Sequence, residues 1–130
     1  MNKILLFFFL ISLFACNKDS LPKLIGRWEL KKSINGFTGA VTNHPPNNGT
    51  VLEFSAYTYK RFSAGTLAKS GVYKTVKDRS SLTGETGNRI IYDNETDLVR
   101  FFYILENGLL SIGVDAVDGP VVVYERENSH

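Results

Sequence analysis

The chain has 130 residues, of which 15 are Lys or Arg and 13 are Asp or Glu, for a net charge of +2. So balanced a charge gives no electrostatic reason to expect nucleic acid as a partner, and the length suits one domain rather than two. There is one cysteine, so no disulfide forms within the chain and an exported fold must hold by its core alone.

Met1-Asn2-Lys3 is a short basic start. An apolar run from Ile4 to Phe14 follows, broken only by Ser12, and Ala15-Cys16 closes it. That order is the order of a secretory signal peptide, and the run falls short of the ~20 apolar residues of a spanning helix. Leu13-Phe14-Ala15-Cys16 resembles the lipobox of bacterial lipoprotein signals. The resemblance implies cleavage before Cys16, a diacylglyceryl group on its thiol, and a further acyl chain such as palmitate on the freed amine. Two or three chains anchor a protein durably, where one binds marginally. The expected division is a signal peptide over 1–15, the lipidated Cys16 with a polar tether over 16–23, and a folded domain over 24–130. A bacterial cell envelope is the implied location, and the outer membrane is the side that the resemblance favours. The plainer alternative is a buried N-terminal strand carrying a core cysteine.

Past Pro22 the pattern is that of strands. Eight are expected, bounded by turn residues: 26–34, 50–54, 57–62, 70–76, 89–93, 98–105, 109–114 and 121–126. Asn107-Gly108 is a tight-hairpin signal, because that pair accepts positive φ at both central positions. No window shows sustained helical periodicity. The expected class is all-β, a small antiparallel up-and-down barrel of about eight strands. Alternation points Val99, Phe101, Tyr103 and Leu105 inward with Leu52, Phe54, Leu110 and Ile112, while Arg100 shares parity with Phe102 and Ile104. Two long connections, 35–49 and 78–88, read as binding loops or as ordinary mobile surface.

Leu24-Ile25-Gly26-Arg27-Trp28-Glu29-Leu30 carries the Gly-x-Trp pattern of lipocalins. The chain resembles the short lipocalin-like domains of bacterial envelope lipoproteins over about residues 24–126. The resemblance implies that Trp28 plugs one end of the barrel and that Arg126 packs across its ring, with Gly26 completing a barrel-closing kernel. A guanidinium gains by stacking on an indole face while its donors satisfy nearby carbonyls.

Chemistry is sparse. His44 and His130 are the only histidines, no grouping has metal-ligand spacing, and no serine sits in a nucleophile elbow. No catalytic residue, metal or cofactor is expected. An enzyme built on His44 would need a carboxylate and a nucleophile brought to it. Tyr57, Tyr59 and Arg61 share parity on one strand, which could turn an anion clamp into a barrel interior. The reading that the sequence favours instead has both tyrosines packing and Arg61 solvated. The candidate ligand cavity comprises Leu52, Phe54, Tyr57, Tyr59, Arg61, Phe101 and Tyr103. The leading expectation is a barrel that binds or carries a small, mostly apolar ligand, gated by the 35–49 loop. The rival is a filled barrel whose working rim meets a protein partner of the envelope, since so many aromatics can close-pack a small interior.

Overall fold

The computed structural model describes residues 23–96 and 99–127, and these are β throughout with no helix. The expected signal peptide, Cys16 and the tether up to Pro22 lie outside the described residues, as do 97–98 and 128–130. Nine strands succeed one another: β1 (Gly26–Ile34), β2 (Val41–Asn43), β3 (Val51–Phe54), β4 (Thr58–Ser63), β5 (Thr66–Arg79), β6 (Thr86–Tyr92), β7 (Phe101–Glu106), β8 (Leu109–Val114) and β9 (Val121–Arg126). All pairings are antiparallel, and β1 pairs with β9 as well as with β3. Eight strands therefore close into a barrel, and closure leaves no open edge on those eight. β2 is an addition alongside β1.

Strand direction alternates around the barrel. The connections after β1, β4, β6 and β8 consequently gather at one end, here the rim. The chain enters at the opposite end through Lys23.

The strand bounds differ from expectation where burial is lopsided. β2 lies inside the expected 35–49 loop and pairs with residues 32–34 of β1. β3 covers β1 only as far as Glu29, so β2 satisfies backbone groups that β3 leaves open. β5 runs 14 residues, well beyond the expected 70–76, because its first residues pair with β4 and its last with β6. β6 begins at Thr86, which shortens the expected 78–88 loop to a turn at 80–85. β7 begins at Phe101 rather than at residue 98, and Val99 in the preceding connection is 53% exposed instead of inward.

The interior is aromatic and tightly filled. Trp28, Tyr59, Tyr103, Phe54, Leu52, Ile90 and Leu110 are all fully buried, and Ile112 joins them. Phe54 meets Tyr73 at 4.7 Å between ring centres, Tyr59 meets Tyr92 edge-on at 4.8 Å, and Tyr92 meets Phe101 at 5.7 Å. These lie in the range where tilted and edge-to-face pairs add about 0.5–1.5 kcal/mol beyond area burial. Leu24 seals the chain-entry end beneath Trp28.

Gly71 sits where the Asp93 carboxylate folds back onto β5. Asp93 Oδ2 accepts from the Tyr59 hydroxyl at 2.7 Å and Oδ1 from the Val72 amide at 3.1 Å. A methyl group on Gly71 would occupy the place of Asp93 Oδ1. We therefore predict that Gly71→Ala expels the Asp93 carboxylate and lowers stability by about 1–3 kcal/mol, the cost of an orphaned buried hydroxyl plus overpacking. A urea melt checks this, and an unchanged midpoint would contradict it.

Candidate functional site

The chain-entry end is closed by three residues from the two ends of the sequence. Trp28 and Arg126 are direct partners in the β1–β9 ladder. The Arg126 guanidinium lies 4.2 Å from the centre of the indole ring and donates to the Ile25 carbonyl at 3.0 Å. The indole N–H donates to the Leu24 carbonyl at 2.8 Å. Gly26, at φ 139°, has no side chain because the Arg126 guanidinium fills the space where a Cβ would stand. The arrangement satisfies every polar group it buries and presents no reactive atom.

Toward the rim, the inner face of β4, β5 and β6 forms a recess of about 210 Å³. Arg61 and Lys69 are register partners on β4 and β5, so two cations stand side by side. Tyr59, Tyr92 and Phe101 make its walls, and Glu95 reaches in from the connection after β6. Burial raises the Tyr92 hydroxyl pKa, with Arg61 pulling against that shift and donating toward the oxygen. Burial likewise raises Tyr124, again opposed by Arg61. Tyr59 is pushed up to about 12, first by desolvation and then by its bond to Asp93. These phenols are therefore neutral donors at any physiological pH. Lys69 approaches Asp93 at 3.6 Å, so part of the positive charge is already answered.

Of the cavity residues named from the sequence, Tyr59, Arg61 and Phe101 meet at this recess. Leu52, Phe54 and Tyr103 are core beneath it. Tyr57 is not with them: it precedes β4 on a bend, is 79% exposed, and faces Lys23 and Lys74 at the chain-entry end. Period-two parity places a side chain only within a strand, and the strand starts one residue too late for Tyr57.

A second concavity, of about 430 Å³, lies outside the barrel. Register puts Phe102, Ile104, Ser111, Gly113 and Val121 on the face opposite to the core residues Tyr103 and Ile112. The 80–85 turn folds over this outer face. Asp115 holds it there, accepting from the Ser80 hydroxyl at 2.5 Å and the Ser81 amide at 2.9 Å. Arg100 bridges Asp115 at 3.2 Å and Asp78 at 2.8 Å, and donates to the Arg79 carbonyl at 2.7 Å. Arg89 adds a second contact to Asp78 at 2.8 Å. The sequence signal for this surface was present in Phe101-Phe102-Tyr103-Ile104-Leu105. A run apolar on both parities belongs to a strand covered on both faces.

His44, in the first loop, places Nε2 3.0 Å from the Ser33 hydroxyl. Among the described residues no carboxylate bonds this imidazole, and the pair ties the end of β2 to β1. No family model matches the chain, and no curated protein or solved structure does either.

Two outcomes follow from this geometry. Arg126→Ala removes the stacked cation and its hydrogen bond to the Ile25 carbonyl, and should cost about 1–2 kcal/mol, with Arg126→Lys recovering only part. Trp28 is the only tryptophan, so its emission during denaturation reports the loss directly. The second outcome concerns Asp78. Hydrogen bonds from Arg89, then from Arg100, then from the Arg79 amide hold its carboxyl at about 2. A carboxyl with a depressed folded pKa contributes stability above its unfolded value and loses it as pH falls through the folded one. The 80–85 turn should accordingly stay latched at pH 4 and loosen as pH approaches 2. Chemical shifts of Ser81 and Leu82 follow this, and release near pH 5 would contradict it.

Proposed function

We propose that this chain is a lipoprotein of the bacterial cell envelope, acylated on Cys16, whose lipocalin-like barrel is filled and works as a protein-interaction module through its rim. The observation that carries this reading is how little interior room the described residues leave. The recess beside Arg61 amounts to about 210 Å³, below the roughly 300–1,000 Å³ of ordinary ligand pockets. What the barrel withholds inside, it presents outside. Val117 is 89% exposed and Phe37 is 84% exposed, the two most exposed large apolar side chains among the described residues. They sit on neighbouring turns: Gly36 lies directly against the Asp118 and Gly119 carbonyls. Both turns are at the rim, opposite the end where the chain enters from Cys16. A tether at that end directs the rim away from the bilayer, toward other envelope proteins. Exposed aromatic and aliphatic side chains on tied-down turns are the anchors that protein interfaces use.

One observation supports a second reading. Arg61 is turned toward the Tyr92 hydroxyl with Lys69 beside it, and that arrangement suits a small anionic head with only a short apolar tail inside the barrel.

A photo-crosslinking side chain in place of Phe37 or Val117, in cells making the full chain, tests the first reading. Position 57 at the other end serves as control. Discrete protein adducts from the two rim positions and none from 57 are expected. Equal labelling from all three, or none from the rim, would overturn the interaction module. Native mass spectrometry separates the second reading: a stoichiometric extra mass that disappears in Arg61→Ala would establish it in place of the first.

A further inference from the structure

We infer that the chain-entry end carries a membrane-contact face, in which Tyr57 and Ile25 sit among the lipid head groups while Lys23 and Lys74 meet anionic lipid phosphates. The inference rests on the reading of Cys16 as acylated, and it names the surface that the domain turns toward its anchor. The first observation is what the face is made of. Lys23, Ile25, Ala56, Tyr57 and Lys74 surround a concavity of about 280 Å³. Tyr57 is 79% exposed and Ile25 is 51% exposed. A ring with an apolar body and a hydroxyl tip suits the boundary between acyl chains and water. The exposure of Tyr57 is built into the bend that carries it. The Tyr73 amide donates to the Tyr57 carbonyl at 3.0 Å, and the Ser55 amide to the Thr58 carbonyl at 2.9 Å. The Tyr73 hydroxyl donates to the Ser55 carbonyl at 2.6 Å.

The second observation is charge. The charged side chains lining the concavity are both lysines. Among the described residues neither has an ion-pair partner. Toward β1, Glu53 and Glu127 are both taken by Arg27, and Glu106 stands across the barrel at the end of β7. The two lysines are therefore left to an outside anion, and each lysine close to an anionic bilayer strengthens binding roughly fivefold. The third observation is reach. Lys23 follows Cys16 by seven residues, which span at most about 25 Å. So short a link holds this end within a few Debye lengths of the lipid phosphates, about 8–10 Å each, and makes docking an intramolecular event for which weak contacts suffice. Phe37 and Val117, on the rim, are at the opposite end.

The full chain, purified from bacterial membranes, is placed in nanodiscs of phosphatidylcholine with about a quarter phosphatidylglycerol and a nitroxide-labelled head group. Paramagnetic relaxation is read at the methyl groups of Ile25, of Leu109 across the barrel at the same end, and of Val117 at the rim. Ile25 should relax most, Leu109 less and Val117 least. Lys23→Gln and Lys74→Gln, both at exposed positions, should each lower the docked-to-free ratio about fivefold, and omitting phosphatidylglycerol should remove the same contribution from the unaltered chain. Equal relaxation at Ile25 and Leu109 would mean that the domain tumbles freely on its tether, and would overturn the face. So would a ratio that neither the lysine substitutions nor the loss of anionic lipid changes. The mass of the Cys16 peptide reads the anchor separately. No acyl group there would overturn the lipoprotein reading and the face with it, whereas an acylated chain without the expected differences would overturn the face alone.

Discussion

The rest of this molecule depends on the seam between β1 and β9, where the Arg126 guanidinium lies against the Trp28 ring. β1 is the one strand that pairs on both sides across the chain's two ends, with β3 on one flank and β9 on the other. Joining residue 28 to residue 126 closes the sheet, and a large loop-closure entropy opposes it. A cation over an indole, 4.2 Å away, fixes the register at that seam, and the paired carbonyls of Leu24 and Ile25 tie the entering chain to the same spot. Without the seam the barrel would be an open sheet with two exposed edges. The salt bridges nearby, Arg27 with Glu53 and Glu127 and Lys31 with Glu125, are solvent-exposed and add little beyond register.

Closure also decides what the protein offers to its surroundings. Eight strands leave an interior just wide enough for side chains, and here large aromatics take it. The consequence is an inversion of roles between the two faces. The inside becomes a packed core with a small polar recess at the rim, and the rim turns carry the most exposed large apolar side chains among the described residues. Asp93 and Asp115 show the same logic on a smaller scale. Each carboxylate is spent on structure, one capping the Tyr59 hydroxyl and the Val72 amide, the other pinning the 80–85 turn.

The fold was legible because its signals are local. The aromatic and β-branched run at 101–105, the Asn107-Gly108 turn and regular turn spacing were enough for an antiparallel barrel of eight strands. What escaped has physical reasons. β2 is three exposed residues whose pairing is dictated by the unpaired length of β1, not by its own sequence. The C-terminal end of β5, Lys77-Asp78-Arg79, is polar on both faces and so resembles loop. Of the candidate cavity residues inside strands, Tyr59, Arg61 and Phe101 line the recess and Leu52, Phe54 and Tyr103 pack as core beneath it, whereas Tyr57 lies elsewhere, because parity says nothing once the chain leaves the strand. The Ser33–His44 contact and the outer concavity both depend on a turn folding back over a neighbouring strand, which no single stretch of sequence encodes.

The most direct test of closure is amide hydrogen exchange of the full chain, resolved by residue. If the Trp28–Arg126 seam is the constraint on which the barrel depends, amides of the β1–β9 ladder should exchange only through global unfolding, as slowly as those of the β7–β8 ladder. A seam that exchanges much faster than β7–β8 under the same conditions would mean that the barrel opens locally there. The closure would then be held from elsewhere, contradicting the account.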